Sequence, residues 1–364
     1  MNTIVVAGAT GVIGEAALAH FAARKDWRVV ALSRRKPEIA AEFHHLAVDL
    51  TDAQACRAAC EALSDVTHLV YAAVSEAPGL VAGWSDAERM KVNLAMLQNL
   101  LEPLSASARN LRHVSLLQGT KAYGVHVGQQ APLPARESAP RDPHENFYWL
   151  QEDFLRASAA ASGFGWTIFR PQILVGAAWG AAMNPLLAFG AYAALCREEG
   201  RSFAYPGGAL QVAELVDPEL LASAFEWAGA SAAARDQTFN ITNGDVFAWR
   251  EAWPMMAESF GVATGPDEPL RLAEYFAGRS ALWDRLVERE GLRQLGLFQF
   301  LGQSHHYADL LLNLGDTLRR PVLLSTIKLR QAGFHECRDS EDSVRRWIRE
   351  LQARRLIPFE RRSF

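Results

Sequence analysis

Seven residues near the N-terminus, Gly8-Ala9-Thr10-Gly11-Val12-Ile13-Gly14, constrain this chain more than any other stretch. They follow Ile4-Val5-Val6-Ala7, a β-rich run, and lead into residues 15–24, which are rich in alanine and read as a helix. Strand, glycine turn and helix in that order leave few folds open. The glycines let backbone approach a bound group closely, and the first N–H groups of the helix, with its positive dipole end, favour a pyrophosphate there. Gly8, Thr10, Gly11, Val12, Ile13 and Gly14 are therefore the expected pyrophosphate contacts of an α/β fold, a Rossmann-type doubly wound parallel sheet.

The spacing GxxGxxG is the form common in short-chain dehydrogenases, and further βα units follow. A second strand, 28–32, ends at Ser33-Arg34-Arg35, where an enzyme specific for NAD would place a carboxylate for the ribose hydroxyls. Two guanidiniums suit the 2′-phosphate of NADPH instead, through charge-assisted hydrogen bonds. The third strand, 46–50, brings Asp49 and Leu50 toward the adenine; the fourth, 68–73, ends in Ala72 and Ala73, small enough to let the cofactor pass. Gln118 and Ile173, at the ends of two later strands, and Tyr148, at the start of a later helix, complete the expected cofactor contacts. Helix (84–101), strand (111–117), helix (148–161) and strand (167–174) continue the alternation, and a last strand is expected near 237–242. The reading is a dinucleotide-binding domain over 1–175, completed by about 202–247. Segments 176–201 and 248–364, rich in helical patterns and aromatic residues, form a smaller lobe over the nicotinamide.

Composition narrows the partners. A net charge of -4 with no run of like charge argues against a nucleic-acid surface. Four cysteines form no CxxC or zinc-type cluster, so no metal is expected. Residues 173–196 carry no charge, but Asn184-Pro185 interrupts them, which points to a buried helix from about 185 to 197 rather than a membrane span. The first residues lack a basic, then apolar, secretory leader. A cytoplasmic enzyme acting on a small molecule is expected, with a homodimer as the base-rate assembly.

The chain has five lysines to 32 arginines, so Lys121, in Gln118-Gly119-Thr120-Lys121, stands out. It lies just beyond the fifth strand, at the edge where such sheets build their sites. Tyr148, in Asn146-Phe147-Tyr148-Trp149, opens the next long helix and can face it. Most short-chain dehydrogenases carry YxxxK on one helix. None of the seven tyrosines here has a lysine four positions on; after Tyr148 that position is Glu152, which reads as a partner for a nearby arginine.

This relocated lysine resembles the plant progesterone 5β-reductase and iridoid synthase group, PRISE-type atypical short-chain dehydrogenases/reductases, with their bacterial relatives. The resemblance covers GxTGxxG, the paired arginine, TGxKxY (here residues 118–123), NFYYxxED (here 146–153), Arg170-Pro171, Met183-Asn184, the run 239–249, Lys328 to Phe334 and Leu356-Ile357-Pro358. It implies NADPH-dependent 1,4-reduction of an enone or enal, with Tyr148 and Lys121 as the catalytic pair at the carbonyl oxygen and Lys121 favouring a more acidic phenol. Departures fall around the expected pocket: Trp149 replaces the second tyrosine of NFYY, and Val127 stands where the family has an aromatic residue. Val127, Trp149 and Phe334 are the expected substrate-lining residues. Two other readings share the fold: a sugar-nucleotide epimerase or dehydratase, which normally needs YxxxK, and a non-catalytic NADP sensor.

Overall fold

A computed structural model describes residues 1–141, 143–315 and 319–359. The elements run β1 (Asn2–Ala7), α1 (Val12–Ala22), β2 (Trp27–Ser33), β3 (His44–Ala47), α2 (Ala53–Glu61), β4 (His68–Tyr71), α3 (Ala87–Ser107), β5 (His113–Leu117), α4 (Phe147–Ser162) and β6 (Gly165–Pro171). The second half contributes β7 (Ile173–Leu174), α5 (Pro185–Glu198), β8 (Val212–Ala213), β9 (Leu215–Val216), α6 (Pro218–Ala230), β10 (Gln237–Ile241) and β11 (Phe247–Ala248). Helices follow: α7 (Trp249–Phe260), α8 (Leu272–Phe276), α9 (Ser280–Glu290), α10 (Leu297–Leu301), α11 (Ser304–Leu312), α12 (Ile327–Gln331) and α13 (Ser340–Ala353).

Seven strands form one parallel sheet in the order β10-β6-β5-β4-β1-β2-β3. Its strands are apolar almost throughout because helices cover both faces. Alternate residues of β1 go to opposite cores: Val5 and Ala7 pack under α2, α3 and α4, while Ile4 and Val6 pack under α1 and α6. Cys56 and Cys60 lie in the first of these cores, where burial pushes their thiols up to about 11 and about 12. A third core, built on α5, α7, α9, α10, α11 and α13, contains most of the aromatic residues of the second half. The uncharged stretch includes α5, whose residues 185–196 are all buried. No described helix is long and apolar enough to cross a membrane.

The chain reverses its winding between β1 and β4, which places the ligand crevice of such a sheet beside the glycine turn. Gly8, at φ +82°, passes so close to the end of β4 that a Cβ there would lie 2.7 Å from Ala73 N. A Cβ on Gly14 would lie 2.2 Å from Gly8 O, so α1 can start only where it does if this residue is glycine. Where the sequence suggests one strand over 167–174, the structure has two. Pro171 has no N–H to continue the ladder, so β6 stops there and Ile173–Leu174 pairs with β9 in a separate two-stranded sheet.

Candidate active site

The C-terminal edge of the sheet opens into a cavity of ≈ 580 Å³. Ile13, Ala72, Ala73, Gln118, Lys121, Tyr148 and Ile173 all line it, so seven of the expected site residues meet in one place. Lys121 sits in a short 3-10 turn, Thr120–Tyr123, directly after β5, and Tyr148 is the second residue of α4. One asparagine ties the two segments together. Asn146 Nδ2 donates to Lys121 O at 3.0 Å, and Asn146 Oδ1 caps α4 by accepting from Tyr148 N at 3.0 Å. Gly119 does the rest: a Cβ there would lie 3.3 Å from Tyr148 Oη, so only glycine leaves the hydroxyl full clearance against the end of β5.

Both side chains are buried, and burial dominates their titration. Desolvation lowers the Lys121 pKa against the opposing pull of Glu76, whose Oε1 lies 3.5 Å from Nζ. The Trp84, Phe147 and Tyr148 rings stand 4.7, 5.3 and 5.5 Å from Lys121 Nζ. Burial also pushes the Tyr148 phenol well above its ordinary value, with the Glu76 charge adding to the rise. The expected acidified phenol is therefore not what the site builds. Tyr148 keeps its proton, which makes it a hydrogen-bond donor.

One turn along α4, Glu152 is 3 % exposed and accepts from Gln118 Nε2 at 3.0 Å. Arg141 and Arg156 reach its Oε1 at 3.1 and 2.7 Å, and Arg170 approaches Oε2 at 3.7 Å. Burial raises its pKa, but the Gln118 hydrogen bond and the arginines outweigh burial and hold the carboxyl below its ordinary value. Arg170 Nε also donates to Gln118 Oε1 at 2.8 Å, which orients the Gln118 amide between the two.

The remaining expected cofactor residues lie along the same edge. Gly11 starts α1 without a side-chain cap, so the first-turn N–H groups stay open, whereas Asp52 and Asp86 cap α2 and α3. Ser33 Oγ donates to Arg35 O at 2.6 Å and shapes the tip of β2. Arg34 and Arg35 are exposed there, and the Arg35 guanidinium stacks 3.9 Å over Trp179. Asp49 is exposed and held ionised by hydrogen bonds from Thr51 N and Oγ1. Leu50 departs from expectation: its side chain is buried in the core under α2 and α3, and its carbonyl accepts from Asn99.

None of the three expected substrate residues reaches the cavity. Val127 ends a 3-10 turn and is 40 % exposed, and its neighbours Val125 and His126 line the cavity instead. Trp149 follows Tyr148 on α4; a helix turns about 100° per residue, and the ring faces Arg141 and Arg170 at 5.0 and 5.7 Å. Phe334 is buried behind the sheet, 5.5 Å from the Trp227 ring of α6. The cavity is lined instead by Trp84, Phe147, Met183, Trp249 and Tyr307, and by Glu76, which the sequence reading passed over. One signal could have found Glu76: it is a carboxylate a few residues past a buried strand, on the same edge as Lys121. Among the described residues, no group of three or more His, Cys, Asp or Glu could hold a metal.

A doubly wound parallel sheet with a glycine turn at its switch point, and a tyrosine facing a lysine at its C-terminal edge, defines an oxidoreductase of the short-chain dehydrogenase/reductase class. Within that class the chain belongs to the PRISE-like Rossmann-fold domain family, which it matches over residues 50–341. It is 30% identical over 376 residues to an (S)-8-oxocitronellyl enol synthase of Nepeta cataria, covering 97% of this chain and 91% of that one. It is 29% identical to the 3-oxo-Δ4,5-steroid 5-β-reductase of Arabidopsis thaliana, covering 98% and 93%. The same fold appears in an enzyme of Bordetella bronchiseptica solved with NAD+, at 16% identity and a TM-score of 0.65 over 97% of this chain and 99% of that one. It also appears in the UDP-glucose 4-epimerase of Thermotoga maritima, at 14% identity and a TM-score of 0.65, covering 96% and 99%.

Proposed function

We propose that the protein is an NADPH-dependent reductase of the carbon–carbon double bond of α,β-unsaturated carbonyl compounds. The observation that carries this reading is the meeting of the Tyr148 hydroxyl and the Lys121 ammonium in one largely apolar cavity, from two separate segments. Glu152, locked by arginines in the position of the usual lysine, speaks against epimerase or dehydratase chemistry built on YxxxK. The names of the two plant relatives, an enol synthase and a steroid 5-β-reductase, support the same reading.

The residues fit the dinucleotide. Gly8 and Gly14 leave no room for a Cβ, and the uncapped start of α1 offers its N–H groups to the pyrophosphate. Arg34 and Arg35 would take the 2′-phosphate, Asp49 the adenosine, and Ala72, Ala73, Gln118 and Ile173 would border the nicotinamide. When bound, the nicotinamide supplies a hydride to the β-carbon of the conjugated acceptor. Negative charge then collects on the carbonyl oxygen. Tyr148 donates a hydrogen bond to that oxygen, and Lys121 sets a positive charge beside it from a buried position, where such interactions are stronger than in bulk water. The α-carbon takes its proton from water, so no further acid is needed.

The test is NADPH consumption by the purified protein against a panel of small enones and enals, 2-cyclohexen-1-one and acyclic conjugated dialdehydes included. Turnover is expected, falling at least about tenfold in Tyr148→Phe and in Lys121→Ala with NADPH affinity retained. Tight NADPH binding with no turnover on any acceptor would replace this reading with that of a sensor.

A further inference from the structure

Lys121 is an ammonium buried among aromatic rings, a setting that favours loss of its proton. Its ion-pair partner among the described residues is Glu76, which stands on the loop after β4 with its side chain 8% exposed. This carboxylate is anchored from several sides. Its Oε2 accepts from Trp84 Nε1 at 3.1 Å, and the Trp84 ring is itself in contact with Lys121, so the three groups form a closed triangle. The preceding residue is clamped to α3: Ser75 N donates to Asn93 Oδ1 at 2.8 Å, Asn93 Nδ2 donates to Ser75 O at 3.0 Å, and Arg89 reaches Ser75 Oγ at 2.8 Å. Asn93 is 1% exposed, so the clamp is internal to the fold.

We propose that Glu76 is a positioning residue of the enone-reducing site: held by Trp84 and by the Asn93 clamp, it keeps Lys121 charged and directed into the cavity beside Tyr148. This rests on reading Tyr148 and Lys121 as the pair that binds the carbonyl oxygen. The contact, at 3.5 Å, engages one of the three ammonium hydrogens and leaves the others for a ligand. A neutral amine in the same place would add no charge to the developing oxyanion. The other titratable groups nearby are Tyr148 itself, Tyr307 on α11 and His126, which stands edge-on to Trp84; Arg170 acts on Tyr148 from β6. Glu76 is the group among these that holds the Lys121 proton in place.

The small number of lysines makes this measurable without turnover. Acetic anhydride labelling across a pH series, resolved by peptide mass spectrometry, reads the titration of Lys121 beside four internal controls. Glu76→Gln is expected to move the Lys121 midpoint down by at least about one pH unit, because the carboxylate's upward pull is lost while burial remains. Glu76→Asp, which keeps the charge, should return most of that shift, and the other four lysines should not move, which also reports an intact fold. With an accepted enone, the alkaline limb of kcat should fall at correspondingly lower pH in Glu76→Gln. An unchanged Lys121 midpoint in Glu76→Gln, or equal shifts in both variants, would overturn the proposal even if the native protein reduces enones. A midpoint that shifts as expected in a protein that reduces no enone would instead overturn the reductase reading on which it rests.

Discussion

Glu152 and Glu76 are both carboxylates with nearly buried side chains near Tyr148, and they are paired in opposite ways. Glu152 receives Gln118 and three arginines and does not line the cavity; Glu76 receives one lysine and one indole N–H and does line it. The difference lies in what each partner can do. Arginine cannot discharge inside a protein, so the Glu152 cluster is a fixed knot that ties α4 to β6 and to the loop before the helix. Lysine can lose its proton when buried, so the charge of the Glu76 cluster depends on its pairing in a way that the charge of the Glu152 cluster does not. In this chain the position that carries a catalytic lysine in most short-chain dehydrogenases has become structural, and the charge faces the cavity from a loop.

Five substitutions test that contrast, from the largest expected effect to the smallest. Glu152→Ala strands Arg170, which is 6% exposed, and should cost about 3–5 kcal/mol of unfolding free energy in denaturant melts. Glu76→Gln should cost clearly less in the same melts, because Lys121 can shed its proton; equal losses would erase the distinction. Tyr148→Phe should lower kcat/KM on an accepted enone by about 10²–10³, the loss expected for one oxyanion donor, with NADPH affinity unchanged in a fluorescence titration. Arg34→Ala should weaken NADPH binding by at least about tenfold while leaving NADH binding alone, since a single charge-assisted hydrogen bond to a phosphate is worth that much. Trp149→Phe should be nearly silent: its Nε1 has no hydrogen-bond partner among the described residues and its ring faces arginines, so substrate KM should stay within about twofold and stability within about 1 kcal/mol.

The parts legible in the sequence are those set by local rules. The glycine turn, the order of strands and helices around it, the two arginines at the tip of β2 and the absence of YxxxK are each contained in a few consecutive residues. The lining of the cavity was not legible, and two of the three expected residues lie outside it for the same reason. Val127 and Trp149 each lie within one or two residues of a cavity-lining neighbour, and in a helical turn a displacement of one position turns a side chain away by about 100°. Phe334 differs: its place is decided by packing against Trp227, just over a hundred residues earlier in the chain.

By itself the sequence determined the fold class, the nucleotide-binding edge and the fact that any lysine serving Tyr148 must come from another segment. These follow from backbone chemistry, where glycine, proline and apolar periodicity act over short range. Only the tertiary structure decided which charges share a buried space: Glu76 with Lys121, Glu152 with Arg141, Arg156 and Arg170, and a phenol kept protonated by its surroundings. The strength and sign of those effects depend on distance and desolvation, and both are fixed only when segments far apart in the chain are packed against one another.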